Sequence, residues 1–261
     1  MAGVDPFERV LCGVDGSGAG LDAVRQTLAL SRPDSELVLV GVSESHQASH
    51  AGMLASHAVE TVEAEIRAAL DDAREMTGRG ETRFVRGRPE EALLQIAAES
   101  GATLVAVGSH ERRRASGVLL GGVATRMLHD APCSVLVARS RGEVEQFPSS
   151  IAAGVDGSAP SLAAAAVAQE LGNRVGARVE LVTAKGGGSA EDCDLQAIEA
   201  SGVAVAYSDA KPLDALLDAA QDVDLLLVGS RGLSGLRALG SVSERIAHQA
   251  PCSVLVLRGA D

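Results

Sequence analysis

The sequence predicts an α/β protein built from two similar domains, each a doubly wound, five-stranded parallel sheet. Three observations predict it. The first is a duplication: GVDGS at 13–17 returns at 154–158, AVGSH at 106–110 returns as LVGSR at 227–231, and HDAPCSVLVAR at 129–139 returns as HQAPCSVLVLR at 248–258. The motif order is the same in both halves, so a module of about 120–145 residues is repeated once, with a period too long for a solenoid. The second is the character of the apolar runs. TLVAV and DLLLV lack alternation, as expected of strands covered on both faces. The third is the interleaving of such runs with helical patterns, which makes βαβ units and a parallel sheet.

In copy one the strands are placed at Val10–Val14, Leu37–Val42, Thr82–Val85, Thr103–Val107 and Ser134–Ala138. Between the second and third lies a long helix, Ala55 to Met76, whose apolar positions Val59, Val62, Ile66 and Leu70 recur at helical spacing. In copy two the strands fall at Ile151–Val155, Arg178–Thr183, Val203–Tyr207, Asp224–Val228 and Ser253–Leu257. Only Ala184 to Gly202 stands where copy one has its long helix, so most of that helix is missing. Helices over Glu90–Glu99 and Leu213–Gln221 are each entered at a proline, Pro89 and Pro212, a residue suited to the first helical turn. The polar stretch Arg141–Ser149 reads as the linker, giving domains at 1–146 and 147–261. The apolar last strands, SVLVA and SVLVL, would be exposed edges in isolated modules, so the two domains are expected to pack on each other as a pseudo-dimer.

Composition narrows the function. The chain of 261 residues carries a formal net charge of −12 and has no Trp, one Tyr and three Phe. It therefore lacks both the positive charge and the aromatic platforms that nucleic-acid binding needs. No apolar run approaches the ~20 residues that span a bilayer, and MAGVDPFERV has no signal-peptide pattern, so a cytoplasmic protein without a membrane role is expected. Cys12, Cys133, Cys193 and Cys252 form no C-x-x-C pair and read as buried free thiols.

In an open parallel sheet, ligands bind beyond the carboxyl ends of the strands where the strand order reverses. Each copy carries a glycine-containing motif after its first strand and another after its fourth. A helix beginning at Gly121-Gly122 or Gly240-Ser241 would aim its backbone N–H groups at that crevice, which suits an anion. Gly13 to Gly20 does not fit G-x-G-x-x-G, and copy two reads GVDGSAPSL there, so Gly18 and Gly20 are dispensable to the module. No G-x-x-x-x-G-K-[ST] occurs.

The V-D-G-S and A-P-C-S-V-L-V matches, present in both copies, resemble the universal stress protein family over nearly the whole chain. That resemblance implies a Rossmann-related fold, adenine-nucleotide binding and a regulatory role in stress response. ATP-binding members carry G-x2-G-x9-G-[ST] after the fourth strand. Copy one has the spacing without the residues: after Gly108, Glu111 takes the second glycine's place, and Gly121-Gly122 lacks the Ser or Thr. Copy two has the residues without the spacing, with Gly229 and Gly232 followed after only seven residues by Gly240-Ser241.

Carried over position by position, the resemblance implies adenine and ribose contacts at Asp15, Val42 and Gly108, and phosphate contacts at Gly121, Gly122 and Val123. In copy two the matching positions are Asp156, Ala184, Gly229, Gly232, Gly240, Ser241 and Val242. The implied ligand is ATP with Mg2+; if the sites have decayed there is none, and the protein is a nucleotide-free interaction scaffold. No nucleophile–base pair or paired carboxylate recurs with the motifs, so no enzyme is expected, slow ATP hydrolysis being the weakest reading.

Each feature also has a structural explanation. Ser241-Val-Ser-Glu244 is a capping box, and Asp15 and Asp156 are suited to fixing the turn after the first strand. His129 and His248 sit where a cation favours a helix end. His46, His50 and His57 have no counterpart in copy two, so no metal site is expected. Arg112-Arg113-Arg114 either meets phosphates or forms a solvated basic loop. A homo-oligomer of the whole chain is a further option.

Overall fold

The computed structural model describes residues 5–44, 52–109, 112–114, 117–140, 146–184, 203–230 and 241–258. The chain divides into two compact units. One comprises Asp5–His110 and Gly121–Ala138; the other comprises Arg139–Asp261 together with Met1–Val4 and Glu111–Leu120.

In the first unit the elements run β1 (Arg9–Gly13), α1 (Gly18–Leu30), β2 (Glu36–Ser43), α2 (Gly52–Thr77), β3 (Glu81–Arg86), α3 (Pro89–Ser100), β4 (Leu104–Gly108), α4 (Gly122–Asp130) and β7 (Ser134–Ala138), where β5 (Arg112–Arg114) and β6 (Gly117–Leu119) intervene before α4. The sheet order is β3-β2-β1-β4-β7, all parallel. Order therefore reverses between β1 and β4, the doubly wound arrangement expected. Helix α1 packs beside α2, and α3 beside α4. Right-handed crossovers running outward from β1 and from β4 put these pairs on opposite faces. Leu11, Leu39, Leu104, Met127 and Leu136 fill the space between sheet and helices and are fully buried.

The second unit repeats the plan with β8 (Ser150–Gly154), α5 (Ala159–Val175), β9 (Arg178–Ala184), β10 (Ala204–Ser208), α6 (Pro212–Ala219), β11 (Leu225–Ser230), α7 (Ser241–Gln249) and β12 (Ser253–Arg258). Its parallel order is β10-β9-β8-β11-β12. Most of the segment between β9 and β10, where the sequence places the lost helix, lies outside the described residues. Pro89 and Pro212 stand at the starts of α3 and α6, where the missing N–H has no intrahelical partner to lose. Among the described cysteines, Cys12, Cys133 and Cys252 are free and buried; burial pushes the Cys12 thiol up to about 12.

One departure from the sequence reading lies after β4. The stretch read as a loop forms an antiparallel hairpin, with Arg112 opposite Leu119 and Arg114 opposite Gly117, and it groups with the second unit.

The residue before the fourth strand of each unit clasps the start of the first. Thr103 Oγ1 accepts from Arg9 N at 2.9 Å and donates to Pro6 O. In the second unit Asp224 Oδ2 accepts from Ser149 N at 2.8 Å, Ser149 Oγ at 2.6 Å and Ser150 N at 3.2 Å. Burial alone would raise this carboxyl, but the Ser149 and Ser150 hydrogen bonds outweigh it and hold it below its ordinary value. A carboxylate lowered in the folded state contributes stability that is complete above the unfolded value and lost as pH falls through the folded one. Asp224→Asn is thus expected to cost about 1–2 kcal/mol at pH 7, a cost that shrinks below about pH 4. Urea unfolding at both pH values measures it, and a pH-independent difference would contradict the assignment.

Candidate functional site

The V-D-G-S motif builds the same Asp–Ser turn in both units. Val14 N donates to Val40 O at 2.8 Å, which holds the end of β1 against β2, and the chain then turns at Gly16, whose φ is +76°. Asp15 Oδ1 accepts from Ser17 N at 2.9 Å and from Ser17 Oγ at 2.7 Å, while Ser17 Oγ accepts from Gly20 N and caps α1. In the second unit Val155 N donates to Val182 O, Gly157 has φ +82°, and Asp156 Oδ1 accepts from Ser158 N at 3.0 Å and Ser158 Oγ at 2.6 Å. Both carboxylates are exposed, yet one oxygen of each is engaged in its own turn.

Gly20 sits against the turn in copy one. A Cβ there would lie 2.3 Å from Asp15 Oδ1, so a side chain at this position in copy one would make the Asp15 carboxylate shift. Copy two has Ser161 instead, and its hydroxyl accepts from Asp156 N at 3.2 Å. Gly18 has nothing within 4 Å of an added Cβ and is dispensable, as the comparison of copies indicates.

The glycines after the fourth strands also have a packing reason. A Cβ on Gly108 would lie 2.5 Å from the carbonyl carbon and oxygen of Ala19, in the first turn of α1. A Cβ on Gly229 would lie 2.4 Å from Pro160 O in the first turn of α5. Each glycine lets a helix start press directly on the strand end.

The structure brings the two ends of each glycine loop together. Gly121 N donates to Ser109 O at 3.0 Å, so the start of α4 lies against the end of β4. Gly121 is the N-cap and supplies no side-chain hydrogen bond; Gly122, the first helical residue, is exposed and has open space around an added Cβ. Val123 follows, half-buried. In the second unit Ser243 Oγ donates to Gly229 O at 2.9 Å, tying the first turn of α7 to the end of β11. Sequence reasoning stressed Ser241, which opens α7, and missed Ser243; the same S-V-S-E run carried both. Val242 is half-buried. Val42 and Ala184 are half-buried near or at the carboxyl ends of β2 and β9, paired with Val85 and Ser208.

Glu111, Gly232, Gly240, His46 and His50 lie outside the described residues, as does the side chain of His57. Among the described residues no group of three or more His, Cys, Asp or Glu could hold a metal ion. His129 and His248 fall in the last turns of α4 and α7. No helix among the described residues is long and apolar enough to cross a membrane.

Two units of one plan, each reversing strand order beside an aspartate turn and a helix start, define a duplicated protein of Rossmann-related α/β architecture. The universal stress protein family model matches residues 6–139 and 188–258, and the chain belongs to that family as a tandem member. It is 29% identical over 203 residues to universal stress protein Rv2005c of Mycobacterium tuberculosis, covering 67% of this chain and 68% of that one. A universal stress protein of Mycolicibacterium smegmatis is 29% identical over 233 residues, covering 78% of this chain and 76% of its own. The crystal structure of a universal stress protein from Archaeoglobus fulgidus superposes with a TM-score of 0.75 at 19% identity, over 97% of this chain and 98% of the other.

Proposed function

We propose that this tandem universal stress protein is a cytoplasmic regulatory protein that binds an adenine nucleotide, ATP with Mg2+, at the carboxyl ends of its strands. The observation that carries the reading is the closure of each glycine loop. Hydrogen bonds from Gly121 N to Ser109 and from Ser243 Oγ to Gly229 hold a helix start beside the strand-order reversal. Helix N–H groups left without a side-chain cap, as at Gly121-Gly122, suit phosphate oxygens. The exposed carboxylates of Asp15 and Asp156 are of the acceptor type that suits ribose hydroxyls. Among the described residues the groups brought together bind and orient, which supports a nucleotide held as a ligand and not as a substrate.

A second reading draws on a specific observation. Asp15 and Asp156 already serve their own turns, and Gly108 and Gly229 already have packing reasons, so these motif residues would persist in a nucleotide-free scaffold. Calorimetric titration of the full-length protein with ATP and Mg2+, followed by a phosphate-release assay, separates the readings. Saturable binding with phosphate release at background is expected. Absence of binding supports the scaffold. Phosphate release that survives further purification and disappears in Asp156→Ala contradicts the non-enzymatic role.

A further inference from the structure

The last carbonyls of an α-helix need donors from outside the helix. In α7 the N–H that would close on Ala247 O lies four residues on, at position 251, and position 251 is proline, which has none. The donor comes from far back in the chain. Arg139 Nη2 donates to Ala247 O at 2.6 Å, and Nη1 to Cys252 O at 3.4 Å. The arginine is itself fastened at the start of β12: Arg139 N donates to Ser253 Oγ at 3.0 Å, and Ser253 Oγ donates to Arg139 O at 3.1 Å. Arg139 is only 3% exposed. A guanidinium at a helix C-terminus also meets the negative end of the dipole. Both repeats end in arginine after A-P-C-S-V-L-V, so the proline that removes a donor and the residue type that can supply one are parts of one motif.

We propose that Arg139 is a positioning residue for the nucleotide site of the second copy, an inference that rests on the nucleotide reading above. Two sets of hydrogen bonds fasten α7, one near each end. Ser243 ties its first turn to Gly229, and Arg139 ties its last turn to the start of β12. Nine residues make a rod of about 13 Å. Released at the Arg139 end, the rod tilts about Ser243, and the first turn of α7 loses its fixed place beside the end of β11.

The test uses the full-length protein with Arg139→Met, which keeps bulk but no donor, and Arg139→Lys, which restores one donor. Hydrogen exchange is read over α7 and α4, and ATP–Mg2+ binding by calorimetry. In Arg139→Met, α7 amides are expected to exchange about tenfold faster with α4 unchanged, and ATP binding to weaken about tenfold, which is about 1.4 kcal/mol. Arg139→Lys recovers part of both. Wild-type exchange in α7 of the Met variant overturns the proposal. So does faster exchange with wild-type ATP affinity, because Arg139 then only stabilises the helix. If the Met variant does not fold, the Lys variant carries the test, and wild-type values for it overturn the proposal. An unmodified protein that binds no ATP overturns the nucleotide reading, and the proposal with it; a variant effect missing from a protein that does bind ATP overturns the proposal alone.

Discussion

Gly229→Ala is expected to destabilise the protein by about 1–3 kcal/mol in the absence of any ligand, the usual range for overpacking. The upper end applies because the atoms in the way are backbone. An added Cβ would stand 2.4 Å from Pro160 O, 2.5 Å from Pro160 C and 2.8 Å from Ser161 N, and none of these can swing aside as a side chain would. Relief requires the first turn of α5 to lift from β11, which also disturbs the Asp156 turn just before it. Gly108→Ala meets the same obstacle in Ala19 C and O at 2.5 Å and should behave alike. Gly122→Ala is the control: nothing lies within 4 Å of its Cβ, and replacing glycine by alanine in a helix gains up to about 1 kcal/mol. Urea unfolding of the three variants without nucleotide decides. Wild-type stability for Gly229→Ala, with only ligand binding lost, would mean the glycine is there for a phosphate and not for packing.

The largest effect on binding is expected at Glu111. If one copy binds ATP more tightly it is copy two, which keeps Gly229, Gly232 and Ser241, whereas copy one sets a carboxylate where phosphates are expected. Two like charges about 4 Å apart repel by about 1 kcal/mol in water and about 4 kcal/mol at an intermediate effective dielectric. That range spans a loss of roughly fivefold to nearly a thousandfold in affinity. The missing hydroxyl at Gly122 removes about 1 kcal/mol more. Calorimetry on the full-length protein should show one strong site, with a second gained in Glu111→Gly and strengthened further by Gly122→Ser. An unchanged isotherm in both variants would refute the explanation. Loss of the strong site in Glu111→Gly would refute the ranking.

The sheets were legible in the sequence because the central strands are apolar runs buried on both faces, and because the duplication states the main motifs twice. The outer strands β3 and β10 are only half-buried and carry a weaker signal. Helix starts were legible at Pro89 and Pro212, where a single residue carries the signal. The β5–β6 hairpin was not: HERRRASGVLLGG has neither strand alternation nor a two-residue Asn-Gly or Asp-Gly turn, and its grouping with the second unit is a tertiary outcome. At the candidate site, sequence reasoning found the residues but not what most of them do locally. That Asp15 binds Ser17, that Gly20 makes room for Asp15, and that Gly108 makes room for Ala19 are contacts between chain segments that no spacing displays. Arg139 was visible only as the last letter of a repeat, since its partners lie more than a hundred residues away.

Native mass spectrometry of freshly purified full-length protein tests nucleotide binding most directly, because a ligand held at these strand ends travels with the chain. The expected spectrum contains the 26.5 kDa chain carrying an added mass equal to an adenine nucleotide, in a population that Asp156→Ala or Ser241→Ala depletes. A spectrum of bare chain alone, unchanged after incubation with millimolar ATP and Mg2+, would contradict the nucleotide reading and leave the scaffold in its place.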